Sequence, residues 1–72
     1  MSKQRCSIND CMNRPLYVGD RVLIDKIGEG VISLCGVYFG TRFIEVFVAG
    51  AKPEREVFDA RQIKFWRVQK VS

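Results

Sequence analysis

Between Tyr17 and Trp66 the chain is a succession of short β-branched and aromatic runs cut by glycines, and this punctuation constrains the fold more than any other feature. Apolar and polar residues alternate through Arg21 to Asp25, which predicts a strand with Val22 and Ile24 facing inward. Lys26-Ile27-Gly28-Glu29-Gly30 follows as a turn, because glycine accepts positive φ values that other residues resist. Val31 to Tyr38 reads as a second strand, with Gly36 marking a bulge or sharp bend. Phe39-Gly40-Thr41 turns the chain into a third strand, Arg42 to Val48. The loop Ala49 to Glu54 leads to a fourth, Arg55 to Phe58. Asp59-Ala60-Arg61-Gln62 suits a single 3₁₀ turn, and Ile63 to Trp66 is the expected fifth strand. The fold class is all-β, with five short strands over residues 17–66.

The flanks differ from this body. Residues 1–16 are polar, show no period-2 alternation and end in Asn13-Arg14-Pro15. They are expected to form an N-terminal arm that is flexible or holds one helical turn, with Ser7 as its cap and Pro15 as its stop. Residues 67–72 are expected to be a basic tail. Charge follows the same division. Lys3, Arg5 and Arg14 against Asp10 leave residues 1–16 at +2, whereas five cations against seven acids leave 17–60 at −2. Arg61, Lys64, Arg67 and Lys70 put +4 on residues 61–72, which contain no acid. Basic ends can follow phosphates, and direct DNA or RNA binding through them is one functional expectation.

The 72 residues suffice for one small domain, which buries only about 60% of its unfolded surface, so a homodimer that hides a further apolar face is compatible with this size. No apolar run approaches the roughly 20 residues of a membrane span. The basic start has no apolar stretch behind it, so no secretory signal is expected and the expected location is cytoplasmic. Cys6, Cys11 and Cys35 are an odd set without zinc spacing, and the chain has no histidine. Reduced thiols and no metal site follow, with Cys35 as a small buried hydrophobe.

Without histidine the commonest general base is missing, and Ser33 and Cys35 have no basic neighbour in sequence. Glu54, Glu56 and Asp59 lie among arginine and lysine, as ordinary surface pairs do. Gly28-Glu29-Gly30 precedes a strand instead of a helix, so it does not cradle phosphate. No catalytic residue and no cofactor are expected.

Binding residues are easier to nominate. Alternation sets Arg42, Ile44, Val46 and Val48 on one face of the third strand and Phe43, Glu45 and Phe47 on the other. The aliphatic set is the core face, which leaves Phe43 and Phe47 for an outer apolar patch. Tyr38-Phe39 with Arg42, and Lys64-Phe65-Trp66-Arg67, interleave aromatics with cations, as interface hot spots and single-strand binders do. The expected surface is Tyr38, Phe39, Arg42, Phe43, Phe47, Lys64, Trp66 and Arg67.

Val18-Gly19-Asp20-Arg21-Val22, Gly28-x-Gly30-Val31-Ile32, Phe43 to Val48 and Val57 to Ile63 together resemble the SH3-like barrels of the KOW, Tudor and CarD-like types. The resemblance covers about two-thirds of the chain and implies a five-stranded barrel. It also implies contact with transcription or ribosomal machinery, or with a peptide. The Gly-Lys-Asn-Asp-Gly loop of CAP-Gly domains is absent. Type II dihydrofolate reductases have a similar Gly-Asp-Arg-Val start. Where they carry Val-Gln-Ile-Tyr, this chain has Arg55-Glu56-Val57-Phe58-Asp59, which removes the residues expected to bind folate and cofactor. The leading expectation is therefore a non-enzymatic accessory or regulatory module that docks on a protein of the transcription or nucleic-acid machinery. Its size is compatible with a phage or plasmid accessory protein.

Overall fold

The computed structural model describes residues 3–71, so the outer ends of the expected arm (1–2) and tail (72) lie outside the described residues. The chain is mostly β, with one short helix. In chain order the elements are β1 (Arg5–Asn9), β2 (Pro15–Tyr17), β3 (Arg21–Ile24), β4 (Gly28–Tyr38), β5 (Thr41–Phe47), β6 (Arg55–Asp59), α1 (Ala60–Phe65) and β7 (Gln69–Lys70). β1 and β2 form a two-stranded sheet, and the rest form a five-stranded antiparallel sheet ordered β6-β5-β4-β3-β7. Among the described residues neither sheet closes into a barrel. No helix among them is long and apolar enough to cross a membrane.

The strands at 21–25, 31–38, 42–48 and 55–58 are present with small shifts at their ends. Val22 and Ile24 face the core, as do Ile44, Val46 and Val48, each at most 5% exposed. Three expectations are corrected. The first turn is Asp25 to Ile27, where Lys26 takes φ 67, and Gly28 to Gly30 already belong to β4. The bulge lies between Ile32 and Leu34, opposite Val46 and Glu45, and not at Gly36, which instead lies 3.5 Å beneath the Phe43 ring, measured from an ideal Cβ. The segment 63–66 is no strand, because α1 runs through Phe65 and the last strand comes at Gln69.

Gly30 owes its place to close packing. A Cβ there would stand 2.5 Å from Val46 Cγ1 and 2.8 Å from the Phe47 carbonyl oxygen. Gly30→Ala is expected to lower stability by about 2 kcal/mol, read from the urea midpoint. A midpoint matching the parent's would show that the β4–β5 pair yields without cost.

The N-terminal segment is not an arm. Arg5 to Asn9 forms a strand, and Cys6 and Ile8 are buried against the core with Leu16 of β2. Ser7 lies exposed in mid-strand and caps nothing. The alternation exists, because Cys6, Ile8 and Asp10 are all buried, but its third member is a carboxylate. Cys6 and Cys35 are joined as a disulfide that ties β1 to β4, and Cys11 is free. Reduced thiols are thus corrected at two of three positions. Reduced thiols were expected of a cytoplasmic chain, whereas disulfides persist in oxidising compartments.

The basic tail is also built in. Val68 is fully buried, and β7 pairs with β3 through Val22↔Lys70 and Leu23↔Gln69. What turns the chain is a Schellman-type helix end. Val68 N–H donates to the Ile63 carbonyl at 2.9 Å and Arg67 N–H to Lys64 at 3.3 Å, with Arg67 in the left-handed region at φ 51. Ile63 and Val68 are both buried, which supplies the apolar contact of that motif.

Candidate functional site

Two adjoining features stand out at the end of the sheet where β4 turns into β5. Tyr38 pairs with Thr41, so Phe39-Gly40 is a two-residue hairpin turn, and both residues have positive φ, 49 and 75. That is the type I′ geometry that suits the strand twist. Glycine takes it freely, but an aromatic residue with positive φ is unusual, and such strain is common at functional sites. The result is a Phe39 ring that is 89% exposed, with Tyr38 edge-on to it at 4.5 Å. Phe43 and Val57 continue this surface into a shallow apolar dish rimmed by Asp59 and Gln62.

Next to the dish runs a groove between β1, the β4–β5 turn and α1. Arg5 reaches it from β1, Arg42 from β5, and Arg61 and Lys64 from α1. Arg61 and Lys64 share one helix face at i, i+3 spacing. The helix begins at Asp59 through a capping box, in which Asp59 accepts from Gln62 N–H and Gln62 Oε1 accepts from Asp59 N–H, each at 3.0 Å. All four cations are exposed, and among the described residues none of them forms an ion pair.

Two carboxylates, Asp10 and Asp59, line the groove. Asp59 holds the helix cap. Asp10 accepts from the main-chain N–H groups of Met12, Arg14 and Lys70 and from the Arg14 guanidinium, at 2.8 to 3.0 Å. Burial alone would raise its carboxyl pKa, but the Lys70 and Arg14 N–H groups and the Arg14 charge hold it below the ordinary value. Asp20 behaves alike. Burial raises it, and the Tyr17 N–H with the Lys3 and Lys70 ammonium groups more than offsets this. Asp20 lies outside the groove and Asp10 is balanced by Arg14, so among the described residues that line it Asp59 alone offsets the four cations.

The expected site residues therefore divide. Tyr38, Phe39 and Phe43 meet in the dish, and Arg42 and Lys64 meet in the groove. Phe47 stands at the far end of β5, across from Val31 and Arg55, and takes no part. Trp66 is half-buried against the core, with its carbonyl accepting from Asp25 N–H at 2.9 Å and its ring edge-on to the exposed Phe65. Arg67 ends the helix and lines neither feature. Sequence reasoning missed Arg5 and Arg61 as site residues. Arg5 sat in a supposed arm, and Arg61 lay in a supposed turn where its spacing to Lys64 carried no meaning. No known family, curated protein or solved structure matches this chain.

Proposed function

We propose that this chain is a small non-enzymatic binding module that holds a single-stranded nucleic acid in the basic groove, with bases stacking on the aromatic dish. The observation that carries this reading is the meeting of four unpaired cations from three separate elements beside a strained, exposed aromatic turn. Cations that track a backbone next to rings that accept any base are the two requirements of single-strand binding. An SH3-like fold is part of the proposal. It is supported by the β3-β4-β5-β6 meander, the helix before the last strand, and the return of that strand beside the first of the meander.

A fluorescence anisotropy titration with labelled DNA and RNA oligonucleotides at two salt concentrations tests it. Four phosphate contacts give a log–log salt slope of about −3 for a single strand. Arg42→Glu with Lys64→Glu is expected to flatten the slope and weaken binding at least tenfold, roughly, and Phe39→Ala to weaken it by roughly tenfold without changing the slope. Absence of binding at low salt would end this reading.

Docking on a protein, the leading expectation from sequence, is favoured by a different observation. The outer face of the large sheet exposes Leu23, Val31, Leu34 and Val57, each between 39% and 51%, around the half-buried Phe43 and Phe47. Phe47→Glu, remote from the groove, then abolishes capture of a protein partner and spares oligonucleotide binding.

A further inference from the structure

β6 is the open edge of the five-stranded sheet. Val48 N–H donates to the Glu54 carbonyl at 2.7 Å, and the same register continues through Val46↔Glu56 and Ile44↔Phe58. Hydrogen-bonded pairs alternate along an antiparallel ladder, so Glu56 and Phe58 turn their main-chain groups toward β5 while Arg55 and Val57 turn theirs outward. The opposite edge is sealed. Lys70 N–H donates to Asp10 Oδ2 at 2.8 Å, the Arg14 guanidinium donates to the Lys70 carbonyl at 2.8 Å, and Cys11 N–H donates to the Val68 carbonyl at 3.0 Å.

We propose that a second copy of this chain pairs with β6, antiparallel, about a two-fold axis through Val57. The strand reads Arg55-Glu56-Val57-Phe58-Asp59, and it is complementary to itself in this register. Val57 meets Val57 of the second copy and exchanges two main-chain hydrogen bonds with it. Each Arg55 stands across from Asp59 of the other chain, on the same face as Val57; Asp59 Oδ1 holds the helix cap and Oδ2 faces the guanidinium, so two opposite-charge pairs flank the apolar centre. Arg55 is free to turn there, because its side chain is 71% exposed and its one ion-pair contact, to Glu45, is 3.8 Å long. Sliding the pairing to centre on Glu56 sets two glutamates opposite each other, which like charges disfavour.

The same features limit the assembly. Charges at both ends of a short edge strand discourage pairing with other strands. The two-fold contact consumes both β6 edges and the β7 edges are sealed, so the large sheet does not extend beyond two copies. Val57 and Asp59 also line the dish, so the two dishes come together at the axis. The pairing does not depend on what occupies the groove.

Sedimentation equilibrium of the full chain, from about 1 μM to about 1 mM, tests this. The expected mass at the upper end is twice the 8.3 kDa of one chain. Arg55→Asp and Asp59→Arg each set like charges opposite one another and raise the dimer Kd by roughly tenfold or more, and mixing the two variants restores both opposite-charge pairs and recovers the parent's affinity. Val57→Pro removes an outward N–H, keeps the parent's circular dichroism and stays monomeric. A parent that is monomeric throughout overturns the proposal. So does Arg55→Asp or Val57→Pro dimerising as tightly as the parent, which holds even if Asp59→Arg, lacking its helix cap, fails to fold.

Discussion

Replacing Asp10 by alanine is expected to lower stability by about 3–5 kcal/mol, a large part of the roughly 4–11 kcal/mol available to a chain of this size. The side chain of Asp10 is fully buried and joins three parts of the chain: its own turn, Arg14 and the last strand. Alanine leaves the N–H groups of Met12, Arg14 and Lys70 without their acceptor and Arg14 without its counter-charge. Asp10→Asn keeps one acceptor oxygen and is expected to lose less. Acid reproduces the effect in the parent. Asp10 and Asp20 both have folded pKa values lowered from 3.8, so between the folded and unfolded values the unfolded chain binds more protons. Their contribution is complete above about pH 5 and is lost as pH falls below about 4 and through the folded values. Urea midpoints at neutral pH and in acid check both statements. An Asp10→Ala midpoint equal to the parent's, or a parent insensitive to acid, would rule them out.

Reduction of the Cys6–Cys35 bond is expected to cost about 3–4 kcal/mol, the loop-closure entropy for its separation of 29 residues. The bond is what fastens the two-stranded sheet to the large one covalently, at Cys6 of β1 and Cys35 of β4. Urea unfolding with and without dithiothreitol, compared with Cys35→Ala, reads this directly. The variant should match the reduced parent and be unmoved by reductant. Curves for the parent that superimpose in the two conditions would show that the bond contributes nothing.

The large sheet was legible because its core positions are aliphatic and spaced by two. Val22, Ile24, Ile44 and Val46 announce themselves, and Gly40 marks the turn from β4 into β5. The N-terminal strand was not legible, since of the alternating buried residues Cys6, Ile8 and Asp10 only one is aliphatic, and the disulfide to Cys35 and the bond from Lys70 come from far along the chain. The end of the chain was misread for a similar reason. Helix ends are usually signalled by glycine in the left-handed position, and here Arg67 fills it, so Ile63 to Trp66 looked like strand and Val68 like tail. Two of the groove's four cations, Arg5 and Arg61, shared that fate. Tyr38, Phe39, Arg42, Phe43 and Lys64 are local signals of aromatic and basic character, whereas Arg5 joins them only because β1 folds back beside α1.

The seal between Asp10 and Lys70 also sets a timetable. These residues are 60 positions apart, so this bond forms only when the turn after β1, already held by the Met12 and Arg14 N–H groups, meets the last strand. Until then the edge of β3 has no strand beside it, and the buried carboxylate has no cover. Contacts of such long range favour slow folding for so short a chain.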